Sequence, residues 1–169
     1  IEAESAALTS TGVSIRGRWI PARTVEGYTM RTEKLREDFD GRWETDAPSM
    51  NYDMIVSAGT YNVWVRLNAP MPRSSVYAIG IDGKYKFLQT NYSYSEEESF
   101  VWRKAGTQLK FDKAGKYTLN FFCSQDAMVI DAIYLTKSGE TPDKATFRQS
   151  PRTSVWTGNG ADSTADAKL

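Results

Sequence analysis

The chain begins IEAES, with Glu2 and Glu4 on either side of one alanine. In an extended strand, residues two apart leave from the same face. Two carboxylates would then stand side by side and repel. Towards the other end, VIDAIYL sets Asp131 in a strand pattern beside Ile130 and Ile133. The first and last strands of a sandwich commonly lie near one another, which would bring these three carboxylates together. Such a group is costly when empty and favourable around a hard cation; calcium takes about six to eight oxygens from carboxylates and carbonyls. The competing reading from periodicity is that Glu2 and Glu4 line a solvated strand face while Asp131 caps a turn.

Other chemistries are excluded by residue type. The 169 residues contain no histidine, so a Ser-His-Asp triad, an HExxH zinc site and an imidazole shuttle have no base or ligand here. The single Cys123, in TLNFFCSQ, permits no internal disulfide and no CxxC site, and its apolar strand pattern predicts a buried, inert thiol. Dense acids occur at Asp38 and Asp40 and at Glu96 to Glu98. Two acids in one flexible loop are poorly arranged to address opposite faces of a sugar, as a glycosidase must. Lys plus Arg and Asp plus Glu are 21 each, so no global charge points to nucleic acid or an anionic membrane. The first third is locally arginine-rich (Arg16, Arg18, Arg23, Arg31, Arg36, Arg42). Arginine forks suit the carboxylates of an acidic polysaccharide if several cluster; interleaved with Glu33, Glu37, Asp38 and Asp40 they otherwise read as scattered surface charge. No apolar run approaches the roughly 18 residues of a membrane span and no leader is visible, so the chain reads as a module whose export signal would lie elsewhere.

The elements that must position these groups are strands. GVSIRGRWI (12–20) alternates Val13, Ile15, Gly17 and Trp19 with polar neighbours. MNYDMIV leads into SAGTYNVWVRL, where Tyr61, Val63, Val65 and Leu67 share one face and Trp64 and Arg66 the other. SVYAIGIDGKYKFL predicts a hairpin at Asp82-Gly83, since both residues accept positive φ. FVWRK, TQLKF, GKYTLNFFC and AMVIDAIYLTK complete eight or more short strands with no amphipathic helix, which predicts an all-β sandwich or barrel. Nine Tyr, seven Phe and five Trp agree, and leave aromatics over for ligand contact. Residues 21–48 are expected to form a long loop insertion after the second strand, with a helical turn or two in MRTEKLREDF. Strand signals stop after Pro142, which predicts one domain over 1–142 and a tail or linker over 143–169.

Four segments, IEAES, AGTYNVWVR, KAGKYTLNF and IDAIYLTKSGETP, occur in this order between Ile1 and about Pro142. Together they resemble the β-sandwich carbohydrate-binding modules related to families 6 and 35, which are appended to secreted bacterial polysaccharide-degrading enzymes. The resemblance implies a jelly-roll sandwich, a non-catalytic role, a secreted or cell-surface location and a polysaccharide or oligosaccharide ligand, acidic ones included. It also implies a structural calcium held by Glu2, Glu4 and Asp131 with loop carbonyls.

It further implies a sugar site at the loops of one end or on a concave sheet face. Aromatic rings stack on the C–H faces of a pyranose, while amide, carboxylate and guanidinium groups bond its hydroxyl rim. In LQTNYSYSEEESF (88–100), Tyr92 and Tyr94 lie in a polar loop as stacking candidates, and Glu96 to Glu98 read as a solvated face. Tyr28, in EGYT, stands where the family's loop after the second strand donates an aromatic, with Arg31 nearby; the inserted RTEKLREDFDGR departs from the short family loop. Gln125 and Asp126, in CSQDAM, take the place where the family often carries Asn. Trp43 and Trp102 are expected in the core, and Trp64 with Arg66 on an exposed sheet. The alternative role is a structural sandwich that packs on or connects a catalytic domain.

Overall fold

The computed structural model describes residues 8–10, 18–24, 27–33, 42–68, 76–90, 100–123 and 128–142; for the first three segments, Thr90 and Cys123 it describes the backbone alone. In chain order these residues form β1 (Leu8–Ser10), β2 (Arg18–Thr24), β3 (Gly27–Glu33), a helical turn α1 (Trp43–Asp46), β4 (Ser49–Val56), β5 (Gly59–Asn68), β6 (Val76–Ile81) and β7 (Lys84–Thr90). β8 (Val101–Lys104), β9 (Leu109–Phe111), β10 (Gly115–Cys123) and β11 (Val129–Thr136) follow. Every pairing is antiparallel. One sheet runs β1-β4-β10-β6-β7 and the other β2-β3-β11-β5-β8, with β9 also paired to β5. The expected all-β sandwich is the observed architecture.

The period-two pattern sets what lies between the sheets. Val63, Val65 and Leu67 of β5 are 0%, 0% and 2% exposed, and Ile130 and Ile133 of β11 join them from the same sheet. Met50, Tyr77, Ile79, Leu119 and Phe121 face them from the other, with Tyr77 and Phe121 stacked at 4.8 Å. Each such large apolar side chain contributes about 1.5–3 kcal/mol on burial. Trp43, in the core as expected, seals one margin and stacks on Tyr85.

The Asp82-Gly83 hairpin forms as the sequence predicts, with φ of 53° and 76°. Its Asp82 carboxylate accepts the Thr118 N–H at 2.7 Å, and the Gly83 N–H donates to the Asn120 side chain at 2.7 Å. This turn is thereby tied to β10.

One expectation needs correction. Residues 21–48 are not one loop. β2 and β3 pair along their length from Arg18↔Glu33 to Thr24↔Gly27, and a helical turn stands at Trp43–Asp46; residues 34–41, which include the rest of MRTEKLREDF, lie outside the described residues. GYTMRTE alternates β-formers with polar groups, and its charge hides a strand whose packing comes from tertiary pairing. β1 lies at the edge of one sheet and β11 inside the other, while the opening IEAES segment lies outside the described residues.

At one end of the sandwich β5, β7 and β10 finish and β6, β8 and β11 begin. Asn68 and Arg31 both pair with Val129, Leu67 with Val101, Val76 with Thr90 and Tyr77 with Cys123. The segments 69–75, 91–99 and 124–127 connect these strand ends.

Candidate functional site

Because Val63, Val65 and Leu67 point inward, Trp64, Arg66 and Asn68 must point out of the six-stranded sheet. Register sets their neighbours. Lys104 and Tyr134 flank Trp64, while Trp102 and Ala132 flank Arg66. Trp64, Phe100, Trp102 and Tyr134 are all half-buried, and the Trp102 and Tyr134 rings meet edge-on with centroids 6.4 Å apart. Trp102 is therefore part of this outer face and not of the core. Its sequence neighbours alternate too weakly, in a four-residue strand, to show which way it turns.

Arg66 is at the centre. Its Nη1 donates to Asp131 Oδ2 at 2.6 Å, with side chains 15% and 11% exposed, and its guanidinium lies 5.6 Å from the Phe100 ring centroid. Asp131 reaches this face because β11 carries an irregularity between Ile130 and Ala132, where an extra residue is accommodated. Counted back from Ile133, strict alternation would turn it inward. The Tyr134 hydroxyl donates to Glu140 Oε1 at 2.8 Å, and that carboxylate, then burial, raises the phenol's pKa above its ordinary value. The Trp64 indole N–H is buried with no hydrogen-bond partner, as is the Asn68 side-chain carbonyl oxygen.

This arrangement suits binding. Aromatic surface lies beside a rigid charge pair and an unused donor, whereas proton transfer would need a titrating base; Asp131 is engaged by a guanidinium and the chain has no histidine. Among the described residues no three His, Cys, Asp or Glu side chains gather as a metal-ligating group.

The residues singled out from sequence divide as follows. Asp131 and Arg66 are brought together from 65 positions apart. Arg31 stands at the loop end, opposite Val129. Tyr28 is in β3 rather than in a loop, opposite Arg23 and three positions, roughly 10 Å, further from that end. Glu2, Glu4, Tyr92, Tyr94, Gln125 and Asp126 lie outside the described residues, as do Asp38, Asp40 and Glu96 to Glu98. Phe100 and Tyr134 were not legible as site residues: each reads as an ordinary strand aromatic until β5 is placed between β8 and β11.

No family model matches the chain, and no curated protein does. Solved structures do. The C-terminal CBM6 of LamC, a marine laminarinase from Zobellia galactanivorans, has 15% identity and a TM-score of 0.57 over 81% of this chain and 97% of its own. The CBM6cm-2 carbohydrate-binding module of Cellvibrio mixtus lichenase 5A, in complex with cellotriose, gives 10% and 0.54 over 82% and 95%. The GH26-CBM35 β-(1,4)-mannanase of Podospora anserina gives 17% and 0.52 over 84% of this chain but 28% of its own. The chain thus has the β-sandwich fold of the family 6 and family 35 carbohydrate-binding modules that its sequence resembles.

Proposed function

We propose that this chain is a non-catalytic carbohydrate-binding module that holds an attached polysaccharide-degrading enzyme at its glycan, outside the cell. The observation that carries the reading is the outer face of the six-stranded sheet. There half-buried Trp64, Trp102 and Tyr134 surround the Arg66–Asp131 pair in a fold shared with such modules. Stacking takes the C–H face of a sugar, and the partly exposed charge pair takes its hydroxyls. The loop end, with Tyr92, Tyr94, Gln125 and Asp126, is the second location. It is favoured by the convergence of the strand ends that lead into 91–99 and 124–127. Tethering raises the enzyme's effective concentration at its substrate without making or breaking a bond.

A structural calcium held by Glu2, Glu4 and Asp131 belongs to the same proposal. Asp131 fits in donor type: it is a buried hard-oxygen ligand, and a carboxylate offers about four lone-pair sites, so an arginine on Oδ2 does not exhaust it. The ion would tie the chain's first residues to β11 and add stability.

Glycan arrays and affinity electrophoresis on neutral and acidic polysaccharides, with calcium and with chelator, test this. Binding should fall about tenfold to a hundredfold in Trp102→Ala for the sheet face, or in Tyr92→Ala/Tyr94→Ala for the loop end. Chelator should lower the melting temperature. A blank array from normally folded protein would favour the structural alternative, and an unchanged melting curve would remove calcium.

A further inference from the structure

Away from the loop end, a groove of about 630 Å³ opens between β7 and β9, beside the Asp82-Gly83 turn. Its floor is apolar: Phe87, Leu109 and Phe111 are 6%, 3% and 4% exposed. Its rim carries Lys84, Lys86, Lys110 and Lys113 against Asp82 and Asp112, so four positive charges face two negative ones in a chain whose overall charge is zero. Lys110 is paired with Asp112 at 3.0 Å, and Lys84 lies 3.8 Å from Glu44. Asp82 Oδ1 accepts the Thr118 N–H, which occupies part of the second carboxylate. Lys86 and Lys113 are exposed and make no ion pair with any described carboxylate.

The fold explains the concentration. β7 ends one sheet, and β9 lies beside the first half of β5, where β8 no longer pairs; the groove is the open margin between the two. Two strands that each bring lysines to a margin create a focused positive field there. Next to them Thr107 and Gln108 supply short polar groups, and Tyr117 a half-buried ring.

We propose that this groove is a second carbohydrate site, selective for an acidic saccharide whose carboxylate or sulfate groups meet Lys86 and Lys113 while a ring rests on the apolar floor. The inference rests on the module reading above but names a different surface. It assigns the chain two separable specificities, with the acidic one on the lysine margin and not on the arginine-rich first third.

The test is affinity electrophoresis on polygalacturonate, alginate, chondroitin sulfate, polyphosphate and two neutral polysaccharides, xyloglucan and laminarin, at low and moderate salt. Wild type is compared with Lys86→Gln/Lys113→Gln and with Trp102→Ala, each checked by circular dichroism. Both lysines are exposed, so their double variant should fold normally. The expected result is retention by at least one acidic polysaccharide, weakened tenfold or more in the lysine variant and by salt, with neutral binding unchanged. Acidic binding indifferent to the lysine variant, or absent while neutral glycans bind, overturns the groove and leaves the module reading intact. Equal, lysine-dependent retention by polyphosphate would make the margin a general anion surface and overturn its selectivity for sugars. Loss of all glycan binding in wild type removes both.

Discussion

Arg66 and Asp131 illustrate what one contact contributes at the residue scale. Each is nearly buried, and the 2.6 Å contact satisfies a charge that would otherwise be stranded in low dielectric. Desolvating both ions offsets most of their attraction, so the pair adds little net stability; removing one member is what costs. With calcium chelated, Arg66→Met should therefore destabilise the domain by about 3–5 kcal/mol in urea unfolding, because it strips the Asp131 carboxylate of its guanidinium. Arg66→Met/Asp131→Leu should lose less than the single variant. If the double variant is the weaker of the two, the pair is not the main partner of either residue. Here the sequence told the types and the face of Arg66, but not the partner. A separation of 65 positions carries no local signal.

The β6–β7 hairpin shows the same division at the level of an element. Asp-Gly announces a turn, and both residues do take positive φ. Gly83, at φ +76°, has open space around it, so Gly83→Ala meets only a conformational penalty of about 1 kcal/mol. Gly80 has an ordinary φ but no room: an added Cβ would come within 2.8 Å of the Phe122 ring and 3.0 Å of the Lys84 carbonyl oxygen. Gly80→Ala should cost more, about 1–3 kcal/mol, because the obstacle includes backbone and the buried Phe122 ring. Thermal melts that rank Gly83→Ala as the more damaging would contradict this account. The local motif was readable; the crowding at Gly80 depends on β10 lying across it.

For the whole molecule, the described core contains a polar group out of place. The Tyr77 ring is fully buried on Phe121, and its hydroxyl has no hydrogen-bond partner. Burial pushes the phenol well above its ordinary pKa of 10, so it stays neutral in the native state. In the unfolded chain the same group ionises from about pH 10. Above that pH the unfolded state binds fewer protons than the native one, and stability falls as pH rises. Tyr77→Phe should flatten this alkaline loss and, by removing an unsatisfied buried hydroxyl, raise stability at pH 7 by about 1 kcal/mol. Parallel alkaline unfolding of the two proteins would show that Tyr77 is not responsible.

Much of this protein was determined by local pattern. Period-two alternation in β5, the Asp-Gly turn and the absence of histidine sufficed for the sandwich, for which face of β5 is buried, and for the exclusion of imidazole chemistry. Those depend on residue type and on neighbours one to four positions away. The rest needed the chain brought together. The β2–β3 hairpin hides in a charged stretch because strand propensity is a matter of pairing. Trp102 changed from core to outer face because a four-residue strand takes its orientation from β5. Asp131 met Arg66 because an irregularity in β11 shifted the alternation by one. The lysine margin arose because β7 and β9 end on the same open side of the sandwich. Side-chain periodicity is local, but which strands become neighbours is set by the burial of the whole core, and the candidate sites lie on strands that only that burial makes adjacent.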